Sequence, residues 1–273
     1  MSPYDLTTLP ALKAWLGLAA GASPNDATLA ALITSATRAI LAALSRPGIL
    51  PQNYSEAIDG EGQRIFPRHW PVLKVSSLTL DGLAVPPASS ALGGFVNGYV
   101  LQPADSAPPG RAQAIDIFDY NVCRARQNVA VAYTAGYTVT AEAQSVPAAT
   151  PWQATANAPY GPWAVNQSVV YAASGVALTN VAAAPGLGQY AVAGGVYTFS
   201  AGDAGAAVTL SYGYIPQDLA QAALELAAER FRASERIGLR SKSVGGQETI
   251  SYDISAMSAG VLALLQPYRR ATL

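Results

Sequence analysis

The sequence predicts an α+β fold: a small helical bundle with β-hairpins, carrying an inserted all-β domain of sandwich or barrel type. Three observations predict it. Helical apolar stripes lie towards both ends of the chain, at Leu29, Leu32, Ile33, Ala36, Ile40 and Leu44, and again at Leu219, Ala222, Ala223, Leu226 and Ala227. Two near-matching strand-and-turn segments lie between them, Val129-Ala130-Val131-Ala132-Tyr133-Thr134-Ala135-Gly136-Tyr137 and Val208-Thr209-Leu210-Ser211-Tyr212-Gly213-Tyr214. From Ala143 to Gly202 the chain contains no Asp, Glu, Lys or Arg. A strand–turn–helix unit with that stretch in its joint reads as a host carrying a guest. The two matching strands are expected to pair and bring the chain back to where it left.

The elements follow in order. Thr8 caps a short helix to about Leu16, with Leu9, Leu12, Trp15 and Leu16 on one face and Gly17 as the stop. Ser23-Pro24-Asn25-Asp26 opens the second helix, with Ser23 as cap, Pro24 where its missing N–H costs nothing and Asp26 in the first turn. That helix ends near Arg46-Pro47-Gly48. Tyr54 to Ile65 alternates around Asp59-Gly60, a hairpin-turn pair, and Asp81-Gly82 closes a second hairpin after Pro71 to Leu80. Tyr99 to Leu101, Ala114 to Phe118 and Val129 to Tyr133 supply further strands.

In the insert, Ser168–Tyr171, Gln189–Val192, Val196–Phe199 and Val208–Tyr212 read as strands between Gly-rich turns. After Pro216 the pattern is helical to Gly238. Val244 to Tyr252 is a turn and strand, and Ser255 to Leu265 is a last helix stopped by Pro267, so that Tyr268, Arg269 and Arg270 project from it.

Composition narrows the function. Hydrophobic residues are 51% and charged residues 12%, with a net charge of −1. So thin a charge density points either to surface buried against partners or to a β-domain surfaced with Ser, Thr, Asn and Gln, and the net charge argues against nonspecific nucleic-acid binding. Cys123 is the only cysteine and His69 the only histidine, which leaves no intrachain disulfide, no multi-thiolate zinc site, no His pair and no Ser-His-Asp triad. No catalytic, cofactor or metal site is expected, and the chain is expected not to be an enzyme. No basic-then-apolar signal peptide is expected at the start of the sequence, and no apolar run is expected to reach membrane length.

The remaining motifs have plain readings beside the functional ones. Asp116 and Asp119 are close in sequence, but paired surface carboxylates are common. Gly186-Leu187-Gly188-Gln189-Tyr190-Ala191 matches a dinucleotide pattern, yet Pro185 precedes it and a β-like run follows, so it reads as a turn. Tyr197 and Phe199 are expected in a β core. Trp152 and Trp163, in Pro-rich segments, are either core or exposed aromatics that stack on sugars. Arg230, Arg232 and Arg236 interleave with Glu225, Glu229 and Glu235 at helical spacing and compensate one another. Tyr268, Arg269 and Arg270 offer an aromatic anchor and two forked donors, residue types enriched at protein interfaces.

With the guest removed, the host resembles the head–tail connector (adaptor) proteins of tailed bacteriophages. The matching residues are Leu9-x-x-Leu12-Lys13-x-Trp15-Leu16-Gly17, the Asp26-to-Leu44 helix, Tyr54 to Gly62, Pro71-Val72 with Val75 and Asp81-Gly82, and Val131-x-Tyr133-x-Ala135-Gly136-Tyr137. They continue with Pro216-x-Asp218-Leu219, Gly246-x-Glu248-Thr249-Ile250-Ser251-Tyr252 and Pro267-Tyr268-Arg269-Arg270. The resemblance implies residues 1–137 plus 215–273 as connector domain, with 138–214 as an inserted β-domain. It implies a non-enzymatic virion protein in the neck, assembled in the bacterial cytoplasm. Its expected partners are further copies in a ring, commonly dodecameric, the portal protein, a downstream neck or tail-completion protein, and DNA passing without sequence-specific contact. No membrane partner is expected. Two alternatives stay open: a tail-associated, adhesin-like protein that binds glycans through the insert, and a hydrolase whose site would be a deep cleft with convergent carboxylates.

Overall fold

The computed structural model describes residues 4–91, 94–102, 113–234, 241–244, 248–251 and 257–269. The fold is α+β, mostly strand, with four α-helices among the described residues. The chain divides into two compact units, residues 1–48 with 216–270, and residues 49–215 with 271–273.

The first unit is helical. Helix α1 (Leu9–Leu16) starts where Thr8 Oγ1 accepts from Ala11 N–H, and stops at Gly17, whose φ of 71° is a left-handed cap. Its buried face differs from the expected one. Leu12 and Lys13 are inside, whereas Trp15 is 49% exposed. Lys13 is buried because its Nζ reaches the Gly21 carbonyl and the Asp26 carboxylate, each at 2.6 Å. The Lys13 ammonium holds Asp26 below the usual carboxylate range. Helix α2 (Asp26–Leu44) begins later than the sequence predicts. Asn25 occupies the cap position, and Ser23 Oγ instead donates to Asp26 Oδ1 at 2.9 Å. By length and composition α2 could cross a membrane, contrary to expectation. Here Leu29, Ile33, Ala36 and Ile40 are fully buried.

Helix α3 (Gln217–Ser234) buries Leu219, Ala222, Ala223, Leu226 and Ala227, the expected stripe, and contacts α1, α2 and α4 (Ala259–Leu265). Arg230 Nη1 donates to Ser35 Oγ on α2 at 2.7 Å. Helix α4 starts at a Ser258 cap, and a two-stranded hairpin pairs Ser241–Val244 with Glu248–Ser251.

Among the described residues, the regular structure of the second unit is strand apart from one 3-10 turn. Strands β1 (Gln52–Gly60), β2 (Arg64–Ile65), β3 (Val72–Leu80), β4 (Leu83–Ala84), β5 (Ser89–Ala91), β6 (Gly94–Val96), β7 (Gly98–Gln102), β8 (Ala114–Phe118) and β9 (Ala125–Ala135) form its first part. One sheet has the order β1-β9-β3-β4, a second β2-β8-β7, and β5 pairs with β6. Ile65, Leu78, Leu80, Ile115, Ile117, Val129, Val131 and Tyr133 from the two larger sheets form one core. Asp81-Gly82 is the expected hairpin turn, with φ of 51° and 82° and Leu80 opposite Leu83. Asp59-Gly60 is not a turn. Both residues close strand β1, which ends at Gly60 still paired with β9; its ladder shifts between Ile58 and Gly60, and Asp59 Oδ1 accepts Gln127 N–H at 2.7 Å.

The second part holds β10 (Thr138–Ser145), β11 (Gln153–Thr155), β12 (Trp163–Tyr171), β13 (Thr179–Asn180), β14 (Gln189–Ala193), β15 (Val196–Phe199) and β16 (Ala207–Tyr214). Sheets β10-β16-β12 and β11-β15-β14-β13 sandwich a core of Ala154, Val169, Tyr190, Tyr197, Phe199, Val208, Leu210 and Tyr212. Contrary to expectation, the matching strands β9 and β16 do not pair with one another. Each is instead a central strand of its own sheet, which explains their shared apolar pattern. The chain still returns to where it left, because Tyr214 N–H donates to the Tyr137 carbonyl at 3.2 Å. The chain passes from one compact unit to the other at 48/49 and 215/216, and the expected host–guest boundary lies within the second unit, between two hydrophobic clusters.

Candidate functional site

The segment expected to form a C-terminal arm does not project freely as far as it is described. The helix ends at Leu265 and the chain continues as a 3-10 turn over Gln266–Tyr268, with Pro267 in its first turn, where a missing N–H is tolerated. That turn brings Tyr268 back to α3, and its hydroxyl donates to Asp218 Oδ2 at 3.0 Å. Tyr268 is half-exposed and Arg269 exposed, while Arg270 lies outside the described residues.

Trp152 and Trp163 are not exposed aromatics. Both are half-buried and pack against the sandwich core. Trp163 opens strand β12, and its Nε1–H donates to the buried Tyr197 hydroxyl at 3.1 Å. Its Cγ lies 3.1 Å from where a Cβ on Gly195 would sit. A sugar platform needs an open aromatic face, and packing against the core leaves each indole only partly open.

The only histidine, His69, is half-buried beside Tyr54, which packs against the first β core. His69 stacks on Tyr54 with ring centroids 3.9 Å apart, and its Nε2 is 3.6 Å from Glu56 Oε1. Glu56 Oε1 also accepts the Tyr133 hydroxyl at 2.5 Å, and Glu56 Oε2 accepts Arg68 N–H. Burial, reinforced by Glu56, raises the Tyr133 phenol far above its usual range. The cluster ties the 66–70 segment to strands β1 and β9. Asp116 and Asp119 do not form a dyad. Asp116 takes a two-pronged contact from Arg64 at 2.7 and 2.8 Å, which lowers its pKa, and Asp119 accepts Asn97 N–H at 3.3 Å. Among the described residues no group of His, Cys, Asp or Glu is placed to hold a metal ion.

The sandwich carries two charged residues between Thr138 and Tyr214, Glu142 and Asp203, and no Lys or Arg. Both carboxylates turn inward. Glu142 accepts Tyr212 O–H at 2.5 Å, Asn157 N–H at 2.9 Å and the Gln144 amide at 3.0 Å, pinning the 156–158 loop. Asp203 is 2% exposed and accepts from the Tyr171 hydroxyl, Ser200 Oγ at 2.7 Å, Gly188 N–H at 3.2 Å and Ser200 N–H at 3.3 Å. Burial pushes Asp203 up, but these donors outweigh it and hold its pKa below the usual value. Burial also pushes the Tyr197 phenol up to about 12. Sequence reasoning missed both carboxylates, although lone acids bordering a charge-free stretch, one of them in Ser200-x-x-Asp203, are a readable capping signal.

The Gly186–Ala191 motif is a turn, as expected. Gln189 N–H donates to the Gly186 carbonyl at 3.0 Å, Gln189 Oε1 accepts Gly186 N–H at 2.9 Å, and strand β14 follows where a dinucleotide site needs a helix.

No family model matches the sequence, and no curated protein matches it. Among solved structures the chain is similar to a chain from the neck of an empty GTA particle computed with C6 symmetry. Identity is 17% and the TM-score 0.42, over 100% of this chain and 94% of that one.

Proposed function

We propose that this protein is a structural component of a phage-like neck, a head–tail connector that assembles as a ring beneath the portal and has no enzymatic activity. In this reading residues 138–214 are a β-domain inserted into the connector host. The observation that carries the proposal is the disposition of charge on that domain. Its two carboxylates are spent on internal hydrogen bonds and no cation accompanies them, so its surface can be buried without stranding a charge. The return of the chain from Tyr214 to Tyr137 supports the insertion, since such a guest leaves its host's path intact. The connector motifs of the sequence support the neck role, and with it a place in the virion. Trp152 and Trp163 are half-buried against the sandwich core, which does not favour the glycan-binding alternative.

Portal binding tests the proposal. The full chain is expected to co-sediment with the portal of its own particle. Truncation after Gln266, which removes Tyr268, Arg269 and Arg270, is expected to weaken that binding, more at low salt than at high salt. A full chain that never binds the portal contradicts the connector role. Full binding by the truncated chain at both salt concentrations would leave that role standing and make 267–273 an ordinary solvated segment.

A further inference from the structure

We propose that the loop from Val181 to Gly188, with Leu187 at its tip, is a docking surface for the sandwich of a neighbouring copy of this chain. The proposal rests on the ring reading above and names the contact within it. Leu187 is 74% exposed and Val176, on the preceding loop, is 57% exposed. Ala182, Ala183 and Ala184 are exposed as well.

This apolar tip is held in place from behind. Thr179 N–H donates to the Gly188 carbonyl at 3.0 Å and Val181 N–H to the Tyr190 carbonyl at 2.8 Å. The Gly186–Gln189 turn closes the loop, and buried Asp203 holds Gly188 N–H and the Tyr171 hydroxyl together. Leu187 leans on Gly202, where an added Cβ would stand 3.2 Å from Leu187 Cδ1. Tyr171 links the two loops, because its N–H donates to the Val176 carbonyl at 2.9 Å while its hydroxyl meets Asp203. A leucine presented on a braced loop loses little further freedom on docking.

Charge selects the occupant. No Lys or Arg lies anywhere between Thr138 and Tyr214, so an acidic partner, a nucleic-acid backbone or an anionic lipid surface finds no counter-charge here. A charged partner group buried against this loop would be left unpaired. The fitting surface is uncharged, and the sandwich of a second copy, with no Lys or Arg, both carboxylates held by internal hydrogen bonds, and Val165 and Val176 exposed, is such a surface.

The test uses the full chain with Leu187→Glu and, separately, Val176→Glu, with assembly followed by mass photometry across a concentration series. Melting curves should stay at the wild-type position, because both side chains are exposed. The expected result is a rise of about tenfold or more in the concentration at half-assembly, the size of burying one leucine. If the wild type forms rings and both variants assemble at the same concentration, the loop is not the contact, and the ring reading survives. Variants that assemble normally but lose portal binding would assign the loop to the portal and overturn self-docking. A wild type that stays monomeric alone and on the portal overturns this proposal and the ring reading together.

Discussion

Replacing Gly136 by alanine is expected to cost the β-rich unit about 3 kcal/mol or more, because two penalties coincide. Gly136 has φ of 147°, a region L-residues avoid. A Cβ there would stand 2.4 Å from Pro51 N, 2.5 Å from Pro51 Cα and 2.6 Å from Leu50 C. These are backbone atoms, which no rotamer change can move aside. The site is also the corner where β9 ends and β10 begins. Tyr137 packs edge-on against Trp70 and Tyr214 at ring distances of 6.4 and 5.8 Å, so a shift of Gly136 is felt by three aromatic rings. Near-UV circular dichroism should show the melt falling by roughly 6–12 °C, at about 2–4 °C per kcal/mol for a unit of this size. Gly175→Ala is the control. Its φ is 70° and nothing lies within 4 Å of the new Cβ, so it should lose only about 1–2 kcal/mol from the left-handed backbone. Equal losses at the two sites would show that the close approach to Pro51 is not what requires glycine.

Asp203→Ala is expected to cost about 2–4 kcal/mol, since it leaves the donors of Tyr171, Gly188 and Ser200 without their shared acceptor. The effect carries a pH signature. The folded pKa of Asp203 lies below its ordinary value of 3.8, so the folded state favours the carboxylate more than the unfolded chain does. This contribution is complete above the unfolded value and is lost as pH falls through the folded one. Wild type should therefore lose stability progressively below about pH 4. Asp203→Asn should lack this component, and its difference from wild type should shrink as pH falls from 5 towards 2. Asp26 and Asp116, which are also lowered by their partners, contribute to the slope that remains. A constant difference between the Asp203→Asn variant and wild type across that range would mean that the ionised carboxylate does not brace the loops.

Local signals in the sequence are readable, and long-range ones are not. Thr8 and Gly17 bound α1 as expected because caps act within one turn, and Asp81-Gly82 is a hairpin because both residues accept positive φ. Asp59-Gly60 carries the same signal, but the β1 ladder with β9, some seventy residues away in sequence, holds it extended. A dipeptide does not reveal that competition. Apolar spacing places Trp15 on the buried face, yet Lys13 takes the inside because Asp26 and the Gly21 carbonyl await it there. A projecting Tyr268 follows from the rule that Pro267 ends an α-helix. A 3-10 turn accommodates that proline, and Asp218 holds the ring. The likeness of β9 and β16 is visible in the sequence, but its cause, two central strands in two separate sheets, requires the topology. Leu187 gives no signal of its own, because a leucine in a glycine-rich turn is ordinary until its exposure and the Asp203 brace are seen.

The most direct measurement is the mass of the purified chain, alone and with its portal, paired with electron micrographs of the same samples. The expected result is a closed ring of many copies, at least on the portal, since a head-to-tail interface that closes gives a ring. A chain that remains monomeric in both samples contradicts the connector function proposed here.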